Sequence, residues 1–147
     1  MSHITIDSPE EQELQKELVN KHDPLSERLK RYLAMPDLSR TPGSPLAELV
    51  ERVLSLPRFA DFEVLKVPEI VRCDISFDLF NFPADHPART PSDTYFVDKD
   101  HILRTHTTVM WYYHLNLPEV REKIKNGQPV GALSYGKVYR KDEIDRF

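Results

Sequence analysis

The sequence has one cysteine, only four glycines, and no apolar run near the roughly 20 residues of a membrane-spanning helix. The single Cys73 excludes an internal disulfide and gives no metal-ligand spacing. Lying between Arg72 and Asp74, it reads as an ordinary structural residue. The N-terminus has early acidic residues and no apolar stretch behind basic ones, so it does not read as a secretory signal. Charge of one sign is scarce as well: 20 Lys and Arg stand against 24 Asp and Glu, a formal net charge of −4. Domains held to nucleic acid by bulk charge are usually strongly basic, so that class is disfavoured, although a local basic patch is not excluded. These absences lead to the expectation of a soluble, cytoplasmic protein with no membrane association. At 147 residues, 39% of them hydrophobic, the chain can build one domain with a real core but not two large ones.

Proline is plentiful where glycine is not, at twelve residues. Three prolines follow a capping residue: Ser8-Pro9, Asp23-Pro24 and Ser44-Pro45. Proline suits the first helical position, where its missing N–H would have had no partner, so each pair marks a helix start. Ser8-Pro9-Glu10-Glu11 also fits the capping-box pattern. A helix is expected over about Pro9–Lys21, and its narrow stripe of Leu14, Leu18 and Val19 suggests a surface helix. A second is expected over Pro24–Ala34, with Leu25, Leu29, Tyr32 and Leu33 on one face, ended by Met35-Pro36. Residues 37–44 are linker-like in composition and separate a helical extension, 1–36, from a main domain, 45–147. That domain opens with a strongly amphipathic helix, Pro45–Leu56, in which Leu46, Leu49, Val50, Val53 and Leu54 recur at helical spacing.

Strands are expected at about Phe62–Val67, Thr94–Val97, Ile102–Thr105 and Val130–Arg140. Helices are expected at Thr108–Leu115 and Pro118–Lys125, the latter stopped by Asn126-Gly127. Helices and strands without strict alternation point to an α+β fold with a largely antiparallel sheet.

The densest chemical vocabulary lies in four stretches: Phe80-Asn81-Phe82-Pro83-Ala84-Asp85-His86-Pro87-Ala88-Arg89, Asp93-Thr94-Tyr95-Phe96, Leu103-Arg104-Thr105-His106-Thr107-Thr108, and Gly136-Lys137-Val138-Tyr139-Arg140-Lys141-Asp142-Glu143-Ile144-Asp145. An arginine on a strand, followed by acidic residues, can present a planar donor fork to a phosphate or carboxylate. The same pattern also describes a surface ion pair at a strand end. His86 before Pro87 reads as a turn cap, His114 as core or interface, and Trp111 to Tyr113 as packing. His101 and His106 do not read as metal ligands, and Arg104 is open between an acidic neighbour and a ligand.

In their order and spacing, these stretches resemble the catalytic domain of phenylalanyl-tRNA synthetases, class II aminoacyl-tRNA synthetases, over roughly residues 45–147. The most specific parts are His86-Pro87-Ala88-Arg89, Arg104-Thr105-His106-Thr107 and the Gly136 to Arg140 segment. The resemblance implies an antiparallel sheet flanked by helices. It places motif 1 over the Pro45 helix and the strand ending Val67-Pro68, and the first half of motif 2 over Val138 to Asp142. It implies that Arg140 is catalytic and binds the ATP α-phosphate and the amino-acid carboxylate. Asp142 would contact ATP or the substrate amino group. His106 and Thr108 would line the amino-acid pocket, Thr108 keeping the hydroxyl of the usual Ser. Ser92 falls where some members carry a tryptophan. The implied cofactors and partners are ATP, Mg²⁺, phenylalanine, tRNA(Phe), and either a second synthetase subunit or a homodimer through the motif 1 region. The implied activity is activation of phenylalanine and its transfer to tRNA(Phe).

The family pattern continues into a return strand and a glycine-rich motif 3 with its own arginine, which do not occur before Phe147. The expectation is therefore that this chain alone neither activates phenylalanine nor binds ATP well. The alternative is a truncated, non-catalytic paralogue serving as an interaction or oligomerisation module.

Overall fold

Each of the three Ser/Asp-Pro pairs starts a helix. Ser8 accepts from the Glu11 N–H, Asp23 from Ser26 and Ser44 from Ala47, at 3.2, 3.0 and 3.1 Å. These open α1 (Pro9–Val19), α2 (Pro24–Ala34) and α3 (Pro45–Leu54). The coordinates are a computed structural model that describes residues 1–142; Glu143, Ile144 and Asp145 of the last sequence segment lie outside the described residues. The chain separates into two units, one made of Met1–Asp7, Pro36–Val67 and Thr107–Lys137, the other of Ser8–Met35, Pro68–His106 and the segment from Val138.

The first unit is built on a parallel sheet. Strands β1 (Ser2–Thr5) and β2 (Glu63–Lys66), with the last described strand (Ala132–Ser134), pair with β2 in the centre. Val64 and Leu65 of β2 are both buried although they point to opposite faces, as a central parallel strand requires. This departs from the largely antiparallel sheet read from the sequence. The strands that pair here are far apart in the chain, and three helices intervene between β1 and β2, so a crossover sets the direction. Gly131 precedes the last strand, and a Cβ there would meet the Phe62 ring at 2.7 Å. The 3₁₀ turn Leu38–Arg40 stands within the expected linker. Its Arg40 lies over the Tyr135 ring at 4.1 Å and donates to the Tyr135 carbonyl at 3.0 Å.

The second unit holds the antiparallel pairing. Strand β3 (Ile70–Arg72) pairs with β4 (His101–Leu103) in the register Ile70 to Leu103, Val71 to Ile102 and Arg72 to His101. The short helix α4 (Cys73–Ser76) follows β3. The strand expected at Thr94–Val97 is reduced to one bridge, Phe96 to Ile102. Leu14, Leu18, Leu29, Ile70, Leu103 and Tyr139 form the core, with Tyr32, Leu33, Tyr95 and Val97 packed against it. Helix α1, read as a surface helix, thus buries Leu14 and Leu18 of its stripe, while Val19 stays exposed. Burying one leucine contributes about 1.5–3 kcal/mol, so Leu14, Leu18 and Leu29 are substantial parts of this unit's stability.

In the first unit, α5 (Met110–Asn116) and α6 (Pro118–Lys125) bear out the expected helices. Gly127, at φ 68°, takes the left-handed position after α6 that glycine tolerates. Its N–H donates to Ile124, and that of Gln128 to Lys123. In keeping with the sequence, β5, the strand Ala132–Ser134, begins near Val130, but it stops short of Arg140. Beyond Gly136 the backbone changes partners: Tyr139 donates to the Arg104 carbonyl at 3.0 Å and Lys141 to that of Asp93 at 2.9 Å. A ladder cannot continue when its donors turn to different acceptors.

Candidate active site

The segment from Val138 to Asp142 alternates. Val138 and Arg140 are exposed, Tyr139 is buried, and Lys141 is half-buried. Tyr139 and Lys141 anchor the strip through their N–H groups, and the Lys141 Nζ also donates to the Pro91 carbonyl at 2.8 Å. Arg140 between them projects outward, its side chain 79% exposed, with Nε 2.8 Å from an Asp142 carboxylate oxygen. An exposed pair of this kind contributes about 0–1 kcal/mol, so a phosphate or carboxylate could replace Asp142 at little cost. The structure thus brings Arg140 and Asp142 together.

His106 lies elsewhere in the same unit. Its Nε2 is 3.1 Å from the Ser76 carbonyl oxygen, which places a proton on Nε2. The ring meets Phe80 edge-on at 5.1 Å and lies 6.2 Å from Phe82, which in turn packs 4.7 Å from His86. His106 is thus a polar member of an aromatic group with Phe80 and Phe82. Thr108 belongs to the other unit, where it is exposed on the turn Thr107–Val109 ahead of α5. Ser92 is a turn residue, its hydroxyl 2.6 Å from that of Thr90 and donating to Asp93 at 2.9 Å.

Several sequence motifs are structural. His86 caps the turn Pro87–Arg89 by accepting the Ala88 N–H at 3.1 Å. Arg89 ties that turn to the preceding loop, pairing with Asp78 at 2.7 Å and donating to the Pro83 carbonyl at 2.9 Å. His114 is fully buried, with Nε2 2.8 Å from Glu63 of β2, which also pairs with Lys123 at 3.2 Å. Cys73 lines a recess of about 590 Å³ with Glu10, Arg72, Asp74, Asp78, Asp100 and His101. Burial, with Asp100, Asp98, Asp74 and Asp78 nearby, pushes its thiol up to about 11, so it stays protonated. None of the candidate residues lines that recess.

The sequence did not signal a buried polar group beneath Arg140. Tyr139 donates its hydroxyl to the Glu69 carboxylate. Arg104, 3% exposed, donates its N–H to the Glu69 carbonyl at 2.8 Å and its guanidinium to that of Pro68 at 3.2 Å. Glu11 of α1 was expected to close a capping box, yet its carboxylate accepts the Glu69 N–H at 3.4 Å. Burial, and secondarily the Glu69 charge, hold the Glu11 carboxyl above its ordinary value, against the Glu69 N–H and Arg104, which lower it. Among the described residues no group of three or more His, Cys, Asp or Glu is arranged to hold a metal ion, and no helix is long and apolar enough to cross a membrane.

Comparison with known proteins agrees with the motifs. A family model described as "tRNA synthetases class II core domain (F)" matches residues 33–147. The chain belongs to this family, a class II core of helices and small sheets. Within it, the chain is 36% identical over 135 residues to the phenylalanine–tRNA ligase alpha subunit of Aquifex aeolicus, covering 88% of this chain and 37% of that protein. It is 38% identical over 98 residues to the alpha subunit of Coxiella burnetii, covering 67% of this chain and 27% of that protein. The same name belongs to a relative in Laribacter hongkongensis, 39% identical over 98 residues, covering 67% of this chain and 28% of the relative. The chain therefore spans about a third of the length of the relatives it matches.

Proposed function

We propose that this chain works as part of a phenylalanine–tRNA ligase, supplying motif 1 and the first half of motif 2 to an enzyme that activates phenylalanine with ATP and transfers it to tRNA(Phe). The supporting observation is the strip Tyr139–Lys141, anchored at alternate residues so that Arg140 faces outward beside Asp142. Residues 45–147 are the partial catalytic domain in this reading, 37–44 its linker and 1–36 a helical extension. The antiparallel sheet of the family would be completed by the return strand.

The chemistry asks little of the protein's acids and bases. The carboxylate of phenylalanine is ionised at neutral pH and attacks the α-phosphorus of ATP. A new O–P bond forms, the bond to the bridging oxygen breaks, and pyrophosphate leaves. The site must align the reactants and place positive charge where negative charge develops. Arg140 is the group for both tasks, and loss of one such donor costs about 3–4 kcal/mol. Asp142 would release Arg140 to the phosphate and take up the amino group or the nucleotide. His106, within its aromatic group, and the Thr108 hydroxyl would line the amino-acid pocket. Mg²⁺ bound with ATP would add positive charge at the phosphates; among the described residues no cluster of three or more His, Cys, Asp or Glu is arranged to hold it.

Helix α3 is the proposed contact for a second synthetase subunit. Leu46, Leu49 and Val53 remain exposed on it, and Leu49, Val50, Val53 and Leu54 line an apolar recess of about 180 Å³ with Leu133 and Tyr135. That face also favours the second reading, a non-catalytic module, in which a homodimer through α3 is the alternative assembly. A cytoplasmic location is part of the proposal in either reading. Phenylalanine-dependent ATP–pyrophosphate exchange separates them: the chain alone gives none, and the chain continuous with a return strand and motif 3 gives it. Exchange by the chain alone, or none by the extended chain, contradicts the proposal.

A further inference from the structure

The hydrogen-bonded group next to Arg140 converges on Glu69. Glu69 presents all three of its polar functions to it: its N–H to Glu11, its carbonyl to the Arg104 N–H, and its carboxylate to the Tyr139 hydroxyl. Tyr139 is held on both its main chain and its side chain, by Arg104 and Glu69 respectively. The Tyr139 side chain is 8% exposed and that of Arg140 is 79% exposed. Neighbouring side chains of an extended strip point to opposite sides, so fixing Tyr139 fixes the direction in which Arg140 leaves the backbone. An arginine on a free strip would sample many directions, and ordering its side chain on binding would cost affinity.

We infer that Glu69 and Tyr139 are positioning residues: their hydrogen bond, braced by Arg104 and by Glu11 of the N-terminal helix, sets the direction of Arg140 toward a negatively charged phosphate group. The inference rests on the reading of Arg140 given above and deepens it. It also gives α1 a role at a distance, because Glu11 reaches the same residue that holds Tyr139. Removing the tyrosine hydroxyl leaves the ring in the core and the Tyr139 N–H bond intact, so the fold survives while the strip loses one of its two restraints. Misplacing a catalytic group by about 1 Å can cost on the order of 100-fold in rate; loss of one restraint of two is expected to cost about tenfold.

The test is a double-mutant cycle in the complete ligase, read as kcat and KM for ATP in pyrophosphate exchange. Tyr139→Phe lowers kcat about tenfold with Arg140 present, and less than about twofold beside Arg140→Lys, which keeps charge but not the planar fork. Glu69→Gln with Tyr139 intact, which still accepts the hydroxyl's hydrogen bond, keeps most of the rate. A structural role alone would give equal losses in both backgrounds, and that result overturns the inference, as does an unchanged rate for Tyr139→Phe. If Arg140→Lys itself keeps the full rate, the reading of Arg140 falls and the inference falls with it. An impaired Arg140→Lys with additive effects overturns the inference alone.

Discussion

Helices α1 and α3 invert the expectation their sequences set. Helix α1 carries few apolar residues and was read as a surface helix, yet Leu14 and Leu18 are buried in a core with Leu29, Ile70, Leu103 and Tyr139. Helix α3 has the strongest apolar periodicity in the chain, and among its residues only Ala47 is buried, while Leu46, Leu49 and Val53 are exposed. The strength of a stripe reports how much apolar surface a helix carries. It does not report whether the covering surface lies in the same chain. For α1 the cover is local, from α2, β3 and β4; for α3 it is proposed to come from another subunit.

This contrast can be broken by substitution, beginning where the effect is largest. Leu29→Ala should destabilise the chain by about 2–5 kcal/mol, the usual cost of a buried leucine, whereas Leu49→Ala should stay within about 0.5 kcal/mol. Urea unfolding of both variants measures the difference, and similar losses would mean that α3 is covered after all. Next in size is a pH effect around His101, whose Nδ1 is 2.8 Å from Asp98 and Nε2 2.6 Å from Glu10, at the start of α1. Burial alone would lower its pKa; hydrogen bonds to Glu10 and Asp98 outweigh burial and raise it above 6.5. A raised histidine stabilises fully below its unfolded pKa and loses that contribution as pH climbs through the folded value. The thermal midpoint should therefore fall as pH rises above about 6.5, and His101→Gln should flatten that fall. A smaller effect is expected at Glu11, whose raised carboxyl binds its proton more tightly when folded. Its contribution is greatest below 4.5 and declines as pH rises through the folded value, so Glu11→Gln should remove that part of the slope in midpoints recorded from pH 4 upward. Smallest for stability is Leu49→Asp, with a change near zero by calorimetry. Its effect should appear instead as lost co-purification with the second subunit proposed for this face.

What the sequence disclosed was local. Helix starts at Ser8, Asp23 and Ser44, the turn cap at His86 and the stop at Gly127 are set by residues a few positions apart, so their chemistry is visible in a linear reading. Sheet direction was not legible, because β1, β2 and β5 meet across long connections that composition does not encode. The segment Gly136 to Arg140 was singled out as a motif at a strand end; the Glu69 carboxylate that holds Tyr139 was not visible, being distant in the chain. Glu11 shows the same limit: its capping-box spacing was correct, but a tertiary partner claimed the carboxylate. Arg140 and Asp142 were singled out through family motifs, and the structure adds that Arg140 faces outward beside Asp142.

The most direct measurement is phenylalanine-dependent ATP–pyrophosphate exchange by the complete ligase carrying Arg140→Ala, compared with the unsubstituted enzyme. The account predicts a loss of roughly 100-fold or more in kcat, in line with removing one donor from developing phosphate charge, with the thermal midpoint unchanged because Arg140 is exposed. Exchange at an undiminished rate would contradict it and leave this segment an interaction module.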